Sequence, residues 1–150
     1  MVKKARLVGI NAYSAAPLRG CLNDVDQMSQ LLISRFGFPP ENVRTLRDAE
    51  ATTQGITEGL AWLATGGSDP SAVRLFHFSG HGTFAPDRNG DEPDGKDECI
   101  VPYDYQTAGF MTDDTLAKLY DRFPRTSNLT LVMDCCHSGT IQRRDDPQQP

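Results

Sequence analysis

The chain has 150 residues, 38% hydrophobic and 23% charged, with a formal net charge of −5, the mix of a single soluble globular domain able to bury a core rather than of a disordered segment. The acidic balance excludes a uniformly basic nucleic-acid footprint, and no apolar run approaches the roughly 20 residues of a membrane span. The apolar stretch that follows the basic start, Leu7 to Ile10, is too short for a secretory signal core, so a cytoplasmic protein is expected.

The first predicted element is a buried strand over Ala5–Ile10, ended by Asn11. Apolar residues at Cys21, Leu22, Val25, Met28, Leu31, Leu32 and Phe36 have helical spacing, and Gly37 is the stop signal. Pro39-Pro40 breaks the chain before a short strand over Val43–Leu46. A second helix is predicted over Thr53–Ala64, with Ile56, Leu60 and Leu63 on one face and Gly66-Gly67 at its end. Ala72–Phe78 reads as a buried strand running into a turn, Ser79-Gly80-His81-Gly82. Residues 83–98 read as a polar loop and Cys99–Pro102 as a short extended piece. Thr112 is a candidate N-cap for a helix through Tyr120. Leu129–Met133 is a last buried strand, running into Asp134-Cys135-Cys136-His137-Ser138-Gly139. The polar residues 142–150 read as a disordered tail or linker after a domain over 1–141.

This alternation of strands and helices predicts an α/β fold, a three-layer α/β/α sandwich with a mostly parallel sheet. In such sheets ligands bind beyond the carboxyl ends of the strands. Residues 79–82 and 134–139 therefore share one rim, although the sequence separates His81 from Cys136.

The chemistry at that rim is thiol chemistry. Of four cysteines, Cys21, Cys99, Cys135 and Cys136, none forms a CxxC pair, and the chain lacks the density of a disulfide-stapled domain. A thiolate attacks carbonyl carbon where a thiol barely does, and a neighbouring histidine can take the proton and later return it to a leaving amine. His81 lies between two glycines, and the N–H groups of Gly82 and Cys136 are candidate donors to an oxyanion. Cys135 and Cys136, as neighbours in an extended segment, point to opposite faces. His77 falls within a strand and reads as a core or sheet-face histidine, and His137 has a structural role as its simplest reading.

Four segments carry a family resemblance. Phe76-His77-Phe78-Ser79-Gly80-His81-Gly82 resembles the histidine motif of caspases and metacaspases, and Met133-Asp134-Cys135-Cys136-His137-Ser138-Gly139 the metacaspase cysteine motif. Arg19-Gly20-Cys21-Leu22-Asn23-Asp24-Val25 and the segment from Asp91 to Pro102 resemble two further stretches of that family, in the same order. A histidine about 50 residues upstream of the cysteine is the caspase arrangement. The Gln-Ala that precedes the cysteine in animal caspases is absent; Asp134-Cys135 stands there.

The resemblance implies the large-subunit part of a caspase-like fold and a cysteine endopeptidase with His81 and Cys136 as its dyad. It implies cleavage after Arg or Lys, with the acidic pocket on Asp24 and Asp134 and with Ser79 and Cys21 beside them; a carboxylate pair suits a guanidinium or ammonium group. It maps a calcium site onto Asp97, Asp113 and Asp114, whereas Ile141, Gln142 and Arg143 stand where a further family acid is expected. An EF-hand reading from Asp87 through Asn89, Asp91 and Glu98 fails, because Glu92 replaces the required glycine. No organic cofactor is expected. Caspase-like folds continue into a small subunit, so the edge at Leu129–Met133 is expected to take that subunit or a second copy. Arg143-Arg144 offers a site for self-cleavage. A non-catalytic partner-binding module and another α/β cysteine hydrolase are the alternative readings.

Overall fold

Local signals set the two long helices. Thr52 Oγ1 accepts the N–H of Gly55 at 3.0 Å and so caps the helix that follows. Gly37 takes the left-handed conformation (φ 69°) and its N–H closes on Leu32 O, ending the helix before it. In the computed structural model, residues 1–86, 90, 93 and 95–137 are described, Cys136 and His137 by their backbone alone. The chain runs β1 (Lys3–Gly9), α1 (Cys21–Phe36), β2 (Val43–Arg47), α2 (Thr53–Ala64), β3 (Val73–Pro86) and β4 (Lys96–Ile100). It continues through α3 (Tyr105–Ala108), β5 (Met111–Thr112), α4 (Asp113–Tyr120) and β6 (Asn128–His137).

The fold is mixed α/β. β1 lies parallel between β2 and β3, and β3 pairs in parallel with β6 on its other edge. β4 pairs antiparallel with the end of β3, and β5 antiparallel with β4. Gly82 belongs to both pairings, opposite Ile100 of β4 and His137 of β6. β4 therefore takes the edge of β3 that β1 vacates after Gly9. Strand alternation sends side chains to two separate cores. Ala5 and Leu7 pack with Val25, Leu32 and Phe38 under α1. Val8, Phe76 and Phe78 pack with Ile56, Leu60, Leu63, Leu116 and Leu119 under α2 and α4. Gly9 is what lets α1 approach: a Cβ there would lie 2.6 Å from Val25 Cγ2.

The helices over 21–36 and 53–64 fall where the sequence places them, but two expectations are corrected. Residues 79–82 are not a turn: β3 runs unbroken to Pro86, and a further strand, β4, begins at Lys96 within the stretch expected to be a polar loop. The last strand likewise extends past Met133 to His137. The short α3 and β5 have no signal in the sequence reading. On α1, Leu31 and Phe36 keep to helical spacing yet remain exposed, whereas Cys21, Val25 and Leu32 are the residues of this helix that become buried. Among the described residues no helix is long and apolar enough to cross a membrane.

Candidate active site

The β3–β6 register brings the two sequence motifs side by side. Ser79 stands opposite Asp134, Gly80 opposite Cys135, and His81 opposite Cys136. Register partners in a parallel pair share a face, so positions 77, 79 and 81 of β3 and 132, 134 and 136 of β6 belong to the α1 side. Position 135 belongs to the other side, and there Cys135 packs against the α2/α4 core.

His81 is buried and held from several directions. Its Nε2 lies 2.6 Å from Ala16 O. A carbonyl only accepts, so Nε2 carries the proton and Nδ1 is left as the basic nitrogen of the neutral ring. The His81 backbone N–H donates to Tyr13 Oη at 3.0 Å, and that hydroxyl donates to Val101 O at 2.8 Å. The Tyr13 ring lies against the His81 ring, centroids 4.7 Å apart. Gly80 is required for this approach, since a Cβ there would come within 2.5 Å of Tyr13 Oη.

The loop that carries Tyr13 and Ala16 is itself tied down. Asp48 Oδ1 accepts the N–H groups of Asn11 (2.8 Å) and Ala12 (2.9 Å). Asn11 Oδ1 accepts the Cys21 N–H at 2.8 Å, joining the loop to the start of α1. Ala16 sits at φ 55°, a left-handed conformation costing an L-residue on the order of 1–2 kcal/mol. Its carbonyl is the group that meets His81. Sequence reasoning missed Asn11, Tyr13, Ala16 and Asp48. The one available signal was position, as an unpatterned loop leaving the carboxyl end of a strand.

The acidic residues gather beside the histidine. Ser79 Oγ donates to Asp24 Oδ2 at 2.8 Å, bridging β3 to α1. Burial pushes the Cys21 thiol pKa up against a hydrogen bond with Ser79 that lowers it, and the nearby charges of Asp24 and Asp134 raise it further. His77 is fully buried, and its pKa is lowered by burial against the opposing pull of Asp134 and Asp24. Thus Asp24, Ser79, Asp134, Cys21 and His77 form one cluster on the α1 side. Gly82 lies deeper between strands, where a Cβ would stand 3.2 Å from Cys135 Sγ. Cys99 is pushed up to about 12 by burial and then by Asp97 and Asp113. Both shifts favour the thiol over the thiolate, so Cys21 and Cys99 are weaker candidates for a nucleophile.

The calcium candidates are less concentrated. Asp97 on β4 is almost fully buried, and Asp113 and Asp114 open α4. Asp113 Oδ1 accepts the Asp114 N–H at 2.9 Å. Among the described residues no three His, Cys, Asp or Glu side chains are grouped to hold a metal ion. Asp87, Asn89, Asp91, Glu92 and Asp94, and residues 138–150 with Arg143 and Arg144, lie outside the described residues.

Comparison with known proteins decides the family. The metacaspase, peptidase C14 domain matches residues 3–143. The chain belongs to the metacaspase family. It is 42% identical to Metacaspase-1 of Yarrowia lipolytica, over 92% of this chain and 32% of that protein. To Metacaspase-4 of Arabidopsis thaliana it is 43% identical, over 94% of this chain and 34% of that protein. It thus spans about a third of the length of these metacaspases. A crystal structure of a Geobacter sulfurreducens protein superposes with TM-score 0.74 at 31% identity, covering 93% of this chain and 52% of that one.

Proposed function

We propose that this chain is the large-subunit part of a cysteine endopeptidase with His81 and Cys136 as its dyad. The observation that carries the reading is the register, in which those two positions are partners on adjoining parallel strands. The Ala16 carbonyl fixes the His81 tautomer, leaving Nδ1 to take the Cys136 thiol proton. The thiolate attacks the scissile carbonyl carbon, and the imidazolium returns the proton to the leaving amine as the C–N bond breaks. Water then hydrolyses the thioester, and backbone N–H groups, including that of Gly82, carry the oxyanion. The reading takes with it the caspase-like three-layer sandwich around a mostly parallel sheet. The two cores, one under α1 and one under α2 and α4, support it. It also places the enzyme in the cytoplasm, where reducing conditions suit a thiol nucleophile.

The preferred residue before the scissile bond is Arg or Lys. Asp24 and Asp134 supply the negative charge, Ser79 orients Asp24, and Cys21 lines the same cluster. Matched fluorogenic peptides differing only at that residue test this. Basic peptides are cut and Asp peptides are not, and Asp24→Ala lowers kcat/KM on basic peptides by about 10²-fold without helping acidic ones. Efficient cleavage after Asp would overturn the pocket.

Calcium belongs to the same reading, with Asp97, Asp113 and Asp114 as oxygen donors whose bound ion would supply positive charge at β4 and α4. The burial of Asp97 and the proximity of Asp97 and Asp113 to Cys99 support it. Because these donors do not form a complete set, millimolar dependence is expected. At about 10 mM CaCl2 the Tm rises and peptidase activity increases, and Asp97→Ala removes both responses. Equal effects of MgCl2 would reduce these acids to a solvated face.

The occupant proposed for the β6 edge is a small-subunit-type segment or a second copy. β3 is the only strand paired with β6 among the described residues, and Leu131 and Met133 are exposed beside an apolar cavity of about 260 Å³.

A further inference from the structure

At the opposite end of the sheet four cations share one face. Lys4 is the register partner of Arg74 across β1–β3, and Arg6 of Arg44 across β1–β2. Like charges placed directly opposite on neighbouring strands destabilise a sheet, and here two such pairs adjoin in a chain of net charge −5. None of the four has a carboxylate within ion-pairing distance among the described residues, where Arg47–Asp26 is a pair that does form.

Two of the cations are accounted for. Lys4 Nζ donates to Trp62 O and Thr65 O, at 2.7 and 3.2 Å. Arg74 Nε donates to Leu63 O at 2.9 Å, and its Nη2 donates to Gly67 O at 2.9 Å. These are the carbonyls at the C-terminal end of α2, where positive charge is favourable. Even so, Arg74 is fully buried and its Nη1 has no hydrogen-bond partner among the described residues.

Arg6 and Arg44 have no such explanation. Both guanidinium groups lie over the Trp62 ring, at 5.7 and 4.2 Å from its centroid, and Lys4 lies 4.3 Å from it. Among the described residues Arg6 Nε is buried without a hydrogen-bond partner, while Arg44 is exposed. Burial, then repulsion from Arg74 and Arg44, lowers the Lys4 pKa; burial, then Arg44, lowers that of Arg6 against the opposing pull of the Glu50 carboxylate.

We infer that Arg6 and Arg44, backed by Lys4 and flanked by Trp62, form a binding site for a small phosphate-type oxyanion. Guanidinium groups match such an anion in charge and in fork geometry. The site is separate from the dyad: Arg6 is the register partner of Phe76, five positions before His81 on β3 and about 17 Å along a strand, and its side chain lies on the α2 face. The inference does not depend on the peptidase reading.

Thermal melts in sodium phosphate and in sodium chloride at matched ionic strength test it, on the unaltered chain, Arg44→Ala and Lys118→Ala. Arg44 is exposed, so its loss leaves the core intact. Phosphate is expected to raise Tm by about 3 °C over chloride, saturably, in the unaltered chain and in Lys118→Ala. In Arg44→Ala that increment disappears, and in chloride this variant melts no lower than the unaltered chain, because a repulsion is relieved. Glycerol phosphate in a parallel series separates sources: an increment above that of inorganic phosphate assigns the site to a phosphate monoester, and an equal one to the free ion. No saturable increment in the unaltered chain, or equal increments in all three proteins, overturns the site.

Discussion

The two faces of β3 differ along their length. On the face toward α1 the sequence passes from Val73 and Leu75 to His77, Ser79 and His81, so apolar packing gives way to polar side chains of the proposed site toward the carboxyl end. On the other face it passes from Arg74 through Phe76 and Phe78 to Gly80 and Gly82, and there the residues become small where the first face becomes polar. The glycines are the counterpart of the chemistry. Gly80 admits Tyr13 and Gly82 admits Cys135, and those neighbours brace the strand from behind. A strand can carry a reactive row only if its reverse side is packed closely enough to hold it still.

The largest effect that separates the faces is expected from the adjacent cysteines. Cys136→Ala should reduce peptide cleavage to background, a loss on the order of 10⁶-fold in kcat for a nucleophile. Cys135→Ala should keep kcat/KM within about threefold and instead lower stability by about 1 kcal/mol, measured by urea unfolding, because it trims a packed side chain. A dead Cys135 variant beside an active Cys136 variant would exchange the faces and sink the assignment.

Tyr13 couples the two faces and should give a smaller, mixed effect. It belongs to the α2/α4 core, yet its hydroxyl serves His81 N–H and Val101 O and its ring supports the imidazole. Tyr13→Phe keeps the ring and removes the bridge, leaving a buried donor and a buried acceptor unpaired. The expected cost is about 1–3 kcal/mol of stability with a roughly tenfold fall in kcat. Stopped-assay kinetics and urea titration on the same preparation would show whether the two losses travel together. A stability loss with unchanged kcat would make Tyr13 purely a core residue.

Much of this frame was legible in the sequence, for physical reasons that also explain the misses. The ranges of α1 and α2 follow from Gly37 and Thr52, local devices whose effect needs no tertiary context. The motif glycines at 80 and 82 read as a turn, because glycine weakens a strand, whereas here each clears space for a neighbour distant in sequence. Tyr13 and Ala16 carry no periodic pattern, and what makes them matter is the bond network through Asn11 and Asp48, which forms only once β1, β2 and α1 have assembled. The cationic register pairs at the far end of the sheet were invisible for the same reason, since register is a tertiary property.

His77 sharpens the comparison most finely, because it lies on the reactive face but before the chemistry begins. It is buried, its Nδ1 has no hydrogen-bond partner among the described residues, and burial lowers its pKa from the ordinary 6.5 more than Asp134 and Asp24 raise it. A histidine held neutral in the fold takes up its proton more readily when unfolded. Between the ordinary value and the lower folded one, the unfolded state therefore binds more protons, and stability rises with pH. The contribution is complete above about 6.5 and is lost progressively as pH falls through the folded pKa. Urea unfolding from pH 8 to pH 5 should show this slope, and His77→Gln should flatten that part of it while leaving the carboxylate titration at lower pH. If His77→Gln melts with the same pH dependence as the unaltered chain, His77 is not the group that titrates, and the division of β3 between a packed half and a chemical half begins at His77 rather than at Ser79.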